Sequence, residues 1–342
     1  MYRAWRLVRA HEWWHYKLPL AIAVAFAFSS FSRIPTCELF LPFILIMAAG
    51  ISAAIYASVF NDYMDLDQDR RAGKKTPMMD LSPAKRSAVI FISLSLMAAI
   101  SLLLLHMPAS LTCFLLIWAV YTAYSLPPIR LKERGILGVL CIGVGEHVLA
   151  SFLAVFLVAE LTGRSVPWWW LLPVLGWSLP FGCRGIVWHQ LADIDNDRKV
   201  GCTTMGANLG AEALRRFGER VLFPIEVFSF LTFLILCNNL VVWLLLALHL
   251  FFEWMRYRFW SANIIIVHPV PGGRFALFEY YQLFFPLAIL FSALPRDPTA
   301  AVLIGMFCLT FAAPLAVSMR VLPVIRWRLL EPWLRKTSRE SG

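Results

Sequence analysis

The chain has 342 residues, 60% of them hydrophobic and only 15% charged, with 26 Phe and 14 Trp. Soluble domains carry roughly 25% charged residues, so this composition excludes an ordinary water-soluble globule and points to lipid as the main solvent. The formal net charge of +10 would suit a nucleic-acid binder, but its placement along the chain argues for membrane topology and anionic ligands, with no nucleic-acid partner.

In chain order, apolar blocks occupy 18–31, 39–60, 87–107, 111–126, 136–159, 168–190, 221–237, 240–252, 277–294 and 299–319. A helix needs roughly 20 residues to cross the hydrocarbon. The pattern predicts an all-α polytopic membrane protein with a bundle of nine to ten transmembrane helices. The shortest block, 240–252, also reads as half of a hairpin with its predecessor. No small-residue cleavage site closes the first block, so it is read as a retained helix. With the N-terminus on the cytoplasmic side, the cytoplasmic segments would hold all but four of the 31 Lys and Arg. Only Arg33, Arg164 and Arg296 fall in opposite-side loops, and Arg184 falls within a helix. That bias is the positive-inside rule. The seven cysteines form no CxxC pair and read as buried, inert thiols.

A repeat marks the polar loops. Residues 65–73 read DLDQDRRAG and residues 193–201 read DIDNDRKVG, each at the cytoplasmic end of an apolar helix. If the first helix continues, Asn61, Asp62, Asp65 and Asp69 share one face, and Asp67 points away. In the second copy Gln190, Asp193 and Asp197 share a face, and Asp195 points away. Carboxylates crowded on one face repel unless a cation sits between them, and hard oxygen donors suit Mg²⁺, which keeps waters and shares phosphate oxygens with a substrate. Cations follow both copies: Arg70, Arg71, Lys74 and Lys75 after the first, Arg198 and Lys199 after the second. The segment Tyr124-Ser125-Leu126-Pro127-Pro128-Ile129-Arg130-Leu131-Lys132 aims Arg130 and Lys132 at the same face. Metal-binding acids flanked by Lys and Arg are what a diphosphate requires.

With these residues in view, the sequence resembles the UbiA superfamily of intramembrane prenyltransferases. Asn61-Asp62-Tyr63-Met64-Asp65-Leu66-Asp67-Gln68-Asp69 fits the family's NDxxDxxxD, and Asp193 to Asp197 fits its DxxxD, with Gly201 and Thr204 following. YSLPPIRLK at 124–132 is the third element in family order. The resemblance covers roughly residues 1–295 of a single domain spanning 1–342, with 296–342 as an extra helix and basic tail. It implies a bundle around a central cavity open to lipid, capped by cytoplasmic loops, so that the active site faces the cytoplasm. It also implies Asn61, Asp65, Asp193 and Asp197 as the nearest Mg²⁺ ligands, supported by Asp62 and Asp69. The implied chemistry is ionisation of an allylic C–O bond, in which Asp65, Asp69, Asp193 and Asp197 carry the catalysis. Aromatic walls would stabilise the allylic cation until an acceptor attacks.

Three features depart from the family pattern. Lys74-Lys75-Thr76-Pro77 stands where many relatives have Arg-Pro, His189-Gln190 stands where an additional acid is frequent, and ten helices exceed the usual nine. RAHEWWHYK at 9–17 is similar to the Arg, Trp and Lys that precede helix 1 in the branch acting on polyprenyl phosphates and phosphoribosyl diphosphate. Interfacial tryptophans need no such explanation.

Within the membrane, Glu146 and His147 fall near the middle of the fifth block, where an ionisable group is a functional candidate by default. Glu146 reads as a catalytic residue that orients or deprotonates an acceptor, or as a wall of the prenyl channel. Tyr124, Arg184, His189 and Gln190 join Arg70, Lys74, Lys75, Arg130, Lys132, Arg198 and Lys199 as candidate substrate contacts. Glu226 is a weaker candidate, and Trp168-Trp169-Trp170 reads as an aromatic belt. The leading function is prenyl transfer from a prenyl diphosphate to a lipophilic acceptor. In the alternative, a polyprenyl phosphate accepts a sugar phosphate. A cation channel is disfavoured because the acids cluster at one face beside many cations.

The predicted topology places both termini in the cytoplasm. A Glu340→Cys substitution in a background lacking native cysteines should resist a membrane-impermeant thiol reagent in intact cells. Labelling there would put the C-terminus outside and refute ten helices.

Overall fold

A computed structural model describes residues 2–319 apart from Ala72 and Val200. Among these residues, seven helices are long and apolar enough to cross a membrane. In chain order, with the shorter apolar helices included, the elements are α1 (Leu18–Phe31), α2 (Thr36–Met64), α3 (Pro83–Leu103), α4 (Pro108–Ser125), α5 (Ile136–Thr162), α6 (Trp168–Lys199), α7 (Ala211–Cys237), α8 (Leu240–Trp260), α9 (Tyr280–Ala293), α10 (Ala300–Thr310) and α11 (Ala312–Met319). Block 240–252 is half of a long-helix hairpin, because Asn238 takes a left-handed conformation and Asn239 caps α8 through Val241 N–H.

The last apolar block departs from expectation. It was predicted as one span over 299–319, but it breaks at Phe311 and α11 turns 86° from α10. Counting the bent pair as one span gives at most eight long helices. The basic tail that supports ten helices, Arg320, Arg326, Arg328, Arg335, Lys336 and Arg339, lies outside the described residues. The fold is all-helical as expected, joined by one minimal parallel pairing of β1 (Ile264–Ile265) with β2 (Arg274–Phe275), in register Ile264–Arg274.

Burial orders the bundle. Twelve residues of α1 are buried, from Leu18 to Ser29, and it packs between α5 and α9. In α3 only Ser93 and Met97 are buried, while Phe91, Ile92, Leu102 and Leu103 are exposed, as suits a helix bathed in lipid. The helices α5 and α6 cross closely. A Cβ on Gly182 would stand 2.8 Å from Gly143 Cα, and one on Gly143 would stand 2.9 Å from Leu179 O. Only paired glycines allow that approach. Gly143 also opens a π-helical turn, Gly143–Val148, that carries Glu146 and His147, a local geometry frequent at functional sites.

Two ion-pair networks tie the second half together. Arg184 Nε and Nη2 donate to Glu226 Oε2 and Oε1 at 2.7 and 2.8 Å, both side chains fully buried. The remaining guanidinium contacts reach Ile266 O and Ala276 O, and Tyr281 donates to Glu226. This lock joins α6, α7, α9 and the β1–β2 loop. Arg256 bridges Glu253 and Glu279 between α8 and the start of α9, with Arg274 also on Glu279.

Removing one partner of a saturated buried pair strands the other charge, at about 3–5 kcal/mol. Glu226→Ala should therefore lower the melting temperature in detergent by many degrees, and adding Arg184→Met should recover much of the loss. An unchanged melting curve for Glu226→Ala would remove this pair from the determinants of the fold.

Candidate active site

The first acidic motif lies at the end of α2. The helix was expected to run on through Asp69, but it ends at Met64, turns at Asp65 and restarts as Leu66–Arg71. Asp69 N–H still donates to Asp65 O at 2.8 Å, so the two carboxylates stay one turn apart. The turn coincides with two cations on the Asp65 side chain. Arg130 Nη2 donates to Oδ1 at 2.9 Å, and Lys132 Nζ binds Oδ2. Asn61 Oδ1 accepts from Lys132 Nζ and from Ser125 Oγ, both at 2.9 Å. Arg130 also donates to Gln68 Oε1, and Gln68 Nε2 donates to Cys202 Sγ.

The second motif rides on α6, which stays helical to Lys199. Asp197 Oδ2 accepts from Thr204 Oγ1 at 2.9 Å, and that hydroxyl accepts from Ala207 N–H to cap the short helix Met205–Leu209. Gln190 Oε1 accepts from Gly206 N–H at 2.9 Å. The loop after α4 then docks on the loop after α6: Gly135 N–H donates to Thr203 O at 3.2 Å, and the Thr203 hydroxyl donates to Glu133 O. Gly135 sits at φ 55°, ψ −120°, a conformation that a side chain opposes. All three motifs thus meet in one assembly, linked directly by Gln68–Cys202, Lys132–Asp65 and Gly135–Thr203.

The electrostatic neighbours show the two acidic motifs facing each other. Lys74 lies within reach of both Asp69 and Asp197. Tyr124 lies within reach of Glu146, Asp65 and Asp197. Burial, then the adjacent Asp65, pushes the Asp69 carboxyl above the usual carboxylate range, and burial pulls the Lys132 ammonium down. Among the described residues, neither Asp69 nor Asp193 has a side-chain partner. An incompletely neutralised cluster of hard oxygen donors (Asn61, Asp65, Asp69, Asp193 and Asp197) fits an oxygen-loving divalent cation.

The other candidates divide. Asp67 and Asp195 are exposed, as the spacing predicts, and Asp67 pairs with Arg70 at 3.3 Å, so Arg70 turns toward that outer carboxylate. Lys74, Lys75 and Lys199 are exposed, while Arg198 donates to Ala207 O at 3.3 Å. Asp62 is buried and held by Arg9 Nη1 at 3.2 Å. Arg184 does not reach the acids, because its N–H groups are consumed by Glu226 and two carbonyls. Glu226 is accordingly a structural partner. Gln190 spends its amide oxygen on Gly206.

Glu146 is salt-bridged to Lys17. Both line a small cavity of about 50 Å³, whose walls include Trp13, Ala49, Ala53, Ile117, Tyr121 and Leu153. His147 packs edge-on against Phe181 at 5.0 Å. His189 is exposed, within electrostatic reach of Lys17, Glu146 and Asp193. Sequence reasoning gave no role to Gln68 and Ser125, variable positions inside the quoted motifs, and read Cys202 as a buried, inert thiol although it is half-buried and accepts from Gln68. It weighed Arg9 and Lys17 only within the segment 9–17, as similar to the Arg, Trp and Lys of one family branch, and gave neither a partner.

Residues 18–264 match the model of the UbiA prenyltransferase family. The chain belongs to that family. It is a multi-pass membrane protein, consistent with its apolar helices. Two 2-acylphloroglucinol 4-prenyltransferases of Humulus lupulus, one of them chloroplastic, are 26% identical to this UbiA-family chain over 181 residues. Those matches cover 52% of this chain and 43% of the relatives, so they span less than half of the relatives' length. Structures of a UbiA homologue from Archaeoglobus fulgidus, bound to DMAPP and Mg²⁺ or to GPP and Mg²⁺, align over 94% of this chain and 99% or 100% of theirs. Their TM-scores are 0.52 and 0.53 at 16% identity, a likeness of fold.

Thr204 both caps Met205–Leu209 and fixes Asp197, so Thr204→Val should cost about 1 kcal/mol locally. Amide exchange in residues 203–209 should rise about fivefold with little change in global melting. Unchanged exchange there would show that the loop is ordered without this hydroxyl.

Proposed function

We propose that this protein is a Mg²⁺-dependent intramembrane prenyltransferase that moves a prenyl group from a prenyl diphosphate to a lipophilic acceptor through an allylic cation. The observation that carries this reading is the meeting of two unsaturated carboxylate clusters with Lys74, Arg130 and Lys132. Family membership supports it, as do the names of the Humulus lupulus relatives and the prenyl diphosphates and Mg²⁺ in the archaeal structures. The positive-inside bias supports an active site facing the cytoplasm in one domain of nine to ten spans, with loops 65–77, 127–135 and 200–209 as its cap.

Asn61, Asp65, Asp69, Asp193 and Asp197 would hold the metal, with Asp62 in support. Bound Mg²⁺ would supply charge neutralisation for the leaving diphosphate. Lys132 and Arg130 now sit on Asp65 and would turn to phosphate oxygens, as donors already placed where negative charge develops. Lys74, Lys75, Arg198 and Lys199 line the approach from solvent. Tyr124 stands between acids and cavity, where a phenol can direct the diphosphate and its ring can face the allylic cation. The apolar wall beside Glu146 is where the hydrocarbon chain would begin, and His189 lies between the two regions.

Asp193→Ala is the cleanest test, because among the described residues Asp193 has no hydrogen-bond partner to strand. Turnover should fall more than tenfold, above about 1.4 kcal/mol of transition-state stabilisation, with melting unchanged. Asp65→Ala should lose as much activity and also some stability, since Lys132 and Arg130 lose their carboxylate. A variant retaining over a tenth of wild-type rate would end the metal role of that residue.

Chelation with EDTA should silence the enzyme and added Mg²⁺ should restore it, and full activity after exhaustive chelation would refute the mechanism. Mass spectrometry of lipid copurifying with the detergent-extracted protein separates the two chemistries. A prenyl diphosphate supports prenyl transfer, whereas a long polyprenyl phosphate supports sugar-phosphate transfer.

A further inference from the structure

We propose that His249, Glu253 and Glu279 form a binding site for a transition-metal dication of the Zn²⁺ class, separate from the acidic motifs and from any Mg²⁺ they hold.

The three residues come from two helices. His249 and Glu253 stand four apart on α8 and so share one face, and Glu279 leads into α9. One ligand atom from each residue lies within 4.8 Å of the other two. All three side chains are buried, that of His249 to 1% exposure. Neither imidazole nitrogen of His249 has a hydrogen-bond partner among the described residues, and Glu253 Oε2 has none either. A buried polar atom without a partner costs free energy, and His249 carries two of them. Tyr280 and Phe284 pack against the imidazole with ring centroids at 5.9 and 5.5 Å. That packing accounts for the ring and leaves the nitrogens unexplained. A metal ion would use one of them together with the idle Glu253 oxygen.

Two arginines compete for the same carboxylates, and they are held unequally. Arg256 is buried. Its Nη1 donates to Glu253 Oε1 at 2.5 Å and also to Glu279 Oε2, and its Nη2 donates to Glu279 Oε1 at 3.0 Å. Ser318 Oγ donates to Glu279 Oε1 as well. Bonds of this kind orient carboxylates in the way that outer partners orient metal ligands. Arg274 is the looser cation. Its Nη2 reaches Glu279 Oε2 at 2.5 Å, its Nε has no hydrogen-bond partner, and its side chain is 27% exposed. A dication that takes Glu253 Oε2, a His249 nitrogen and a Glu279 oxygen would send Arg274 toward solvent and keep Arg256 in place. Two carboxylates then face one guanidinium and one dication. The single positive charge in excess is one that a metal-bound water, as fourth ligand, can offset by losing a proton.

Zn–N and Zn–O bonds of about 2.0–2.2 Å put tetrahedral ligands roughly 3.3–3.6 Å apart, so side-chain shifts of about 1 Å close the site. One imidazole with two carboxylates suits Zn²⁺ better than Mg²⁺, which favours shells of oxygen alone. The two ions are thereby sorted between the two sites. Zn²⁺ here would clamp α8 to α9 and release the β1–β2 loop at Arg274.

The test uses full-length protein in detergent, stripped with EDTA, freed of the chelator and dialysed against Zn²⁺ in a large excess of Mg²⁺. Bound Zn²⁺ is then counted by mass spectrometry. Wild type should hold one Zn²⁺ more than His249→Phe, which keeps a packed ring and removes both nitrogens, and one more than Glu253→Gln. Zn²⁺ should raise the melting temperature of wild type and leave both variants unchanged. Arg274→Gln, which removes the competing cation, should tighten Zn²⁺ binding by about threefold or more. An ion-pair network with a purely structural role would show none of these effects. Zn²⁺ content in wild type no greater than in either folded variant overturns the site, and so does weaker binding in Arg274→Gln. If neither His249→Phe nor Glu253→Gln folds, the Arg274→Gln comparison decides.

Discussion

Everything at the polar end of this molecule depends on neutralising carboxylates held together. Asp65, Asp69, Asp193 and Asp197 end two different helices, and nothing in either helix compensates them. The chain answers with loops. The segment after α4 puts Lys132 and Arg130 on Asp65, and the segment after α6 folds back so that Thr204 serves Asp197. Hydrogen bonds between the two loops at Gly135–Thr203 and Glu133–Thr203 make one cap from two distant stretches. Among the described residues Asp69 and Asp193 remain without side-chain hydrogen-bond partners, and that residual negative charge is what a cation and a diphosphate would use.

The bundle beneath supplies rigidity at the points where the cap needs it. The glycine-on-glycine crossing of α5 and α6 brings the Glu146 turn against the helix that carries Asp193. The Arg184–Glu226 lock fixes the same stretch of α6 to α7 and α9. A sub-ångström error in α6 would propagate to Asp193 and Asp197, so a fully buried ion pair about two and a half to three and a half turns below them is a reasonable use of a costly charge. Arginine at 184 therefore acts on the site through position, not contact.

The N-terminal segment closes the site from the other side. Arg9 holds Asp62, Trp13 walls the cavity and Lys17 pairs with Glu146, although all three precede the first apolar helix. Their importance comes from the packing of α1 at the centre of the bundle, between α5 and α9. A chain segment attached to a central helix delivers its side chains to the middle of the molecule.

The membrane character and the acidic repeat with its flanking cations were legible in the sequence. So was the outward orientation of Asp67 and Asp195. These follow from composition and the helical period, which are local properties. Even at short range the reading failed where tertiary forces act: α2 turns at Asp65, whose carboxylate is drawn by cations 65 and 67 residues away, and the final block bends at Phe311. The roles of Arg184 and Gln190 were not legible at all. An arginine in an apolar helix reads the same whether it faces a substrate or a glutamate 42 residues on, and the chain decides between them only by bringing α6 against α7. What the sequence by itself determined was which chemistry-bearing groups exist and that they recur at the ends of apolar helices. Tertiary structure alone decided which are spent on the fold and which are left free to act, because partnership between distant side chains is a matter of packing and not of spacing.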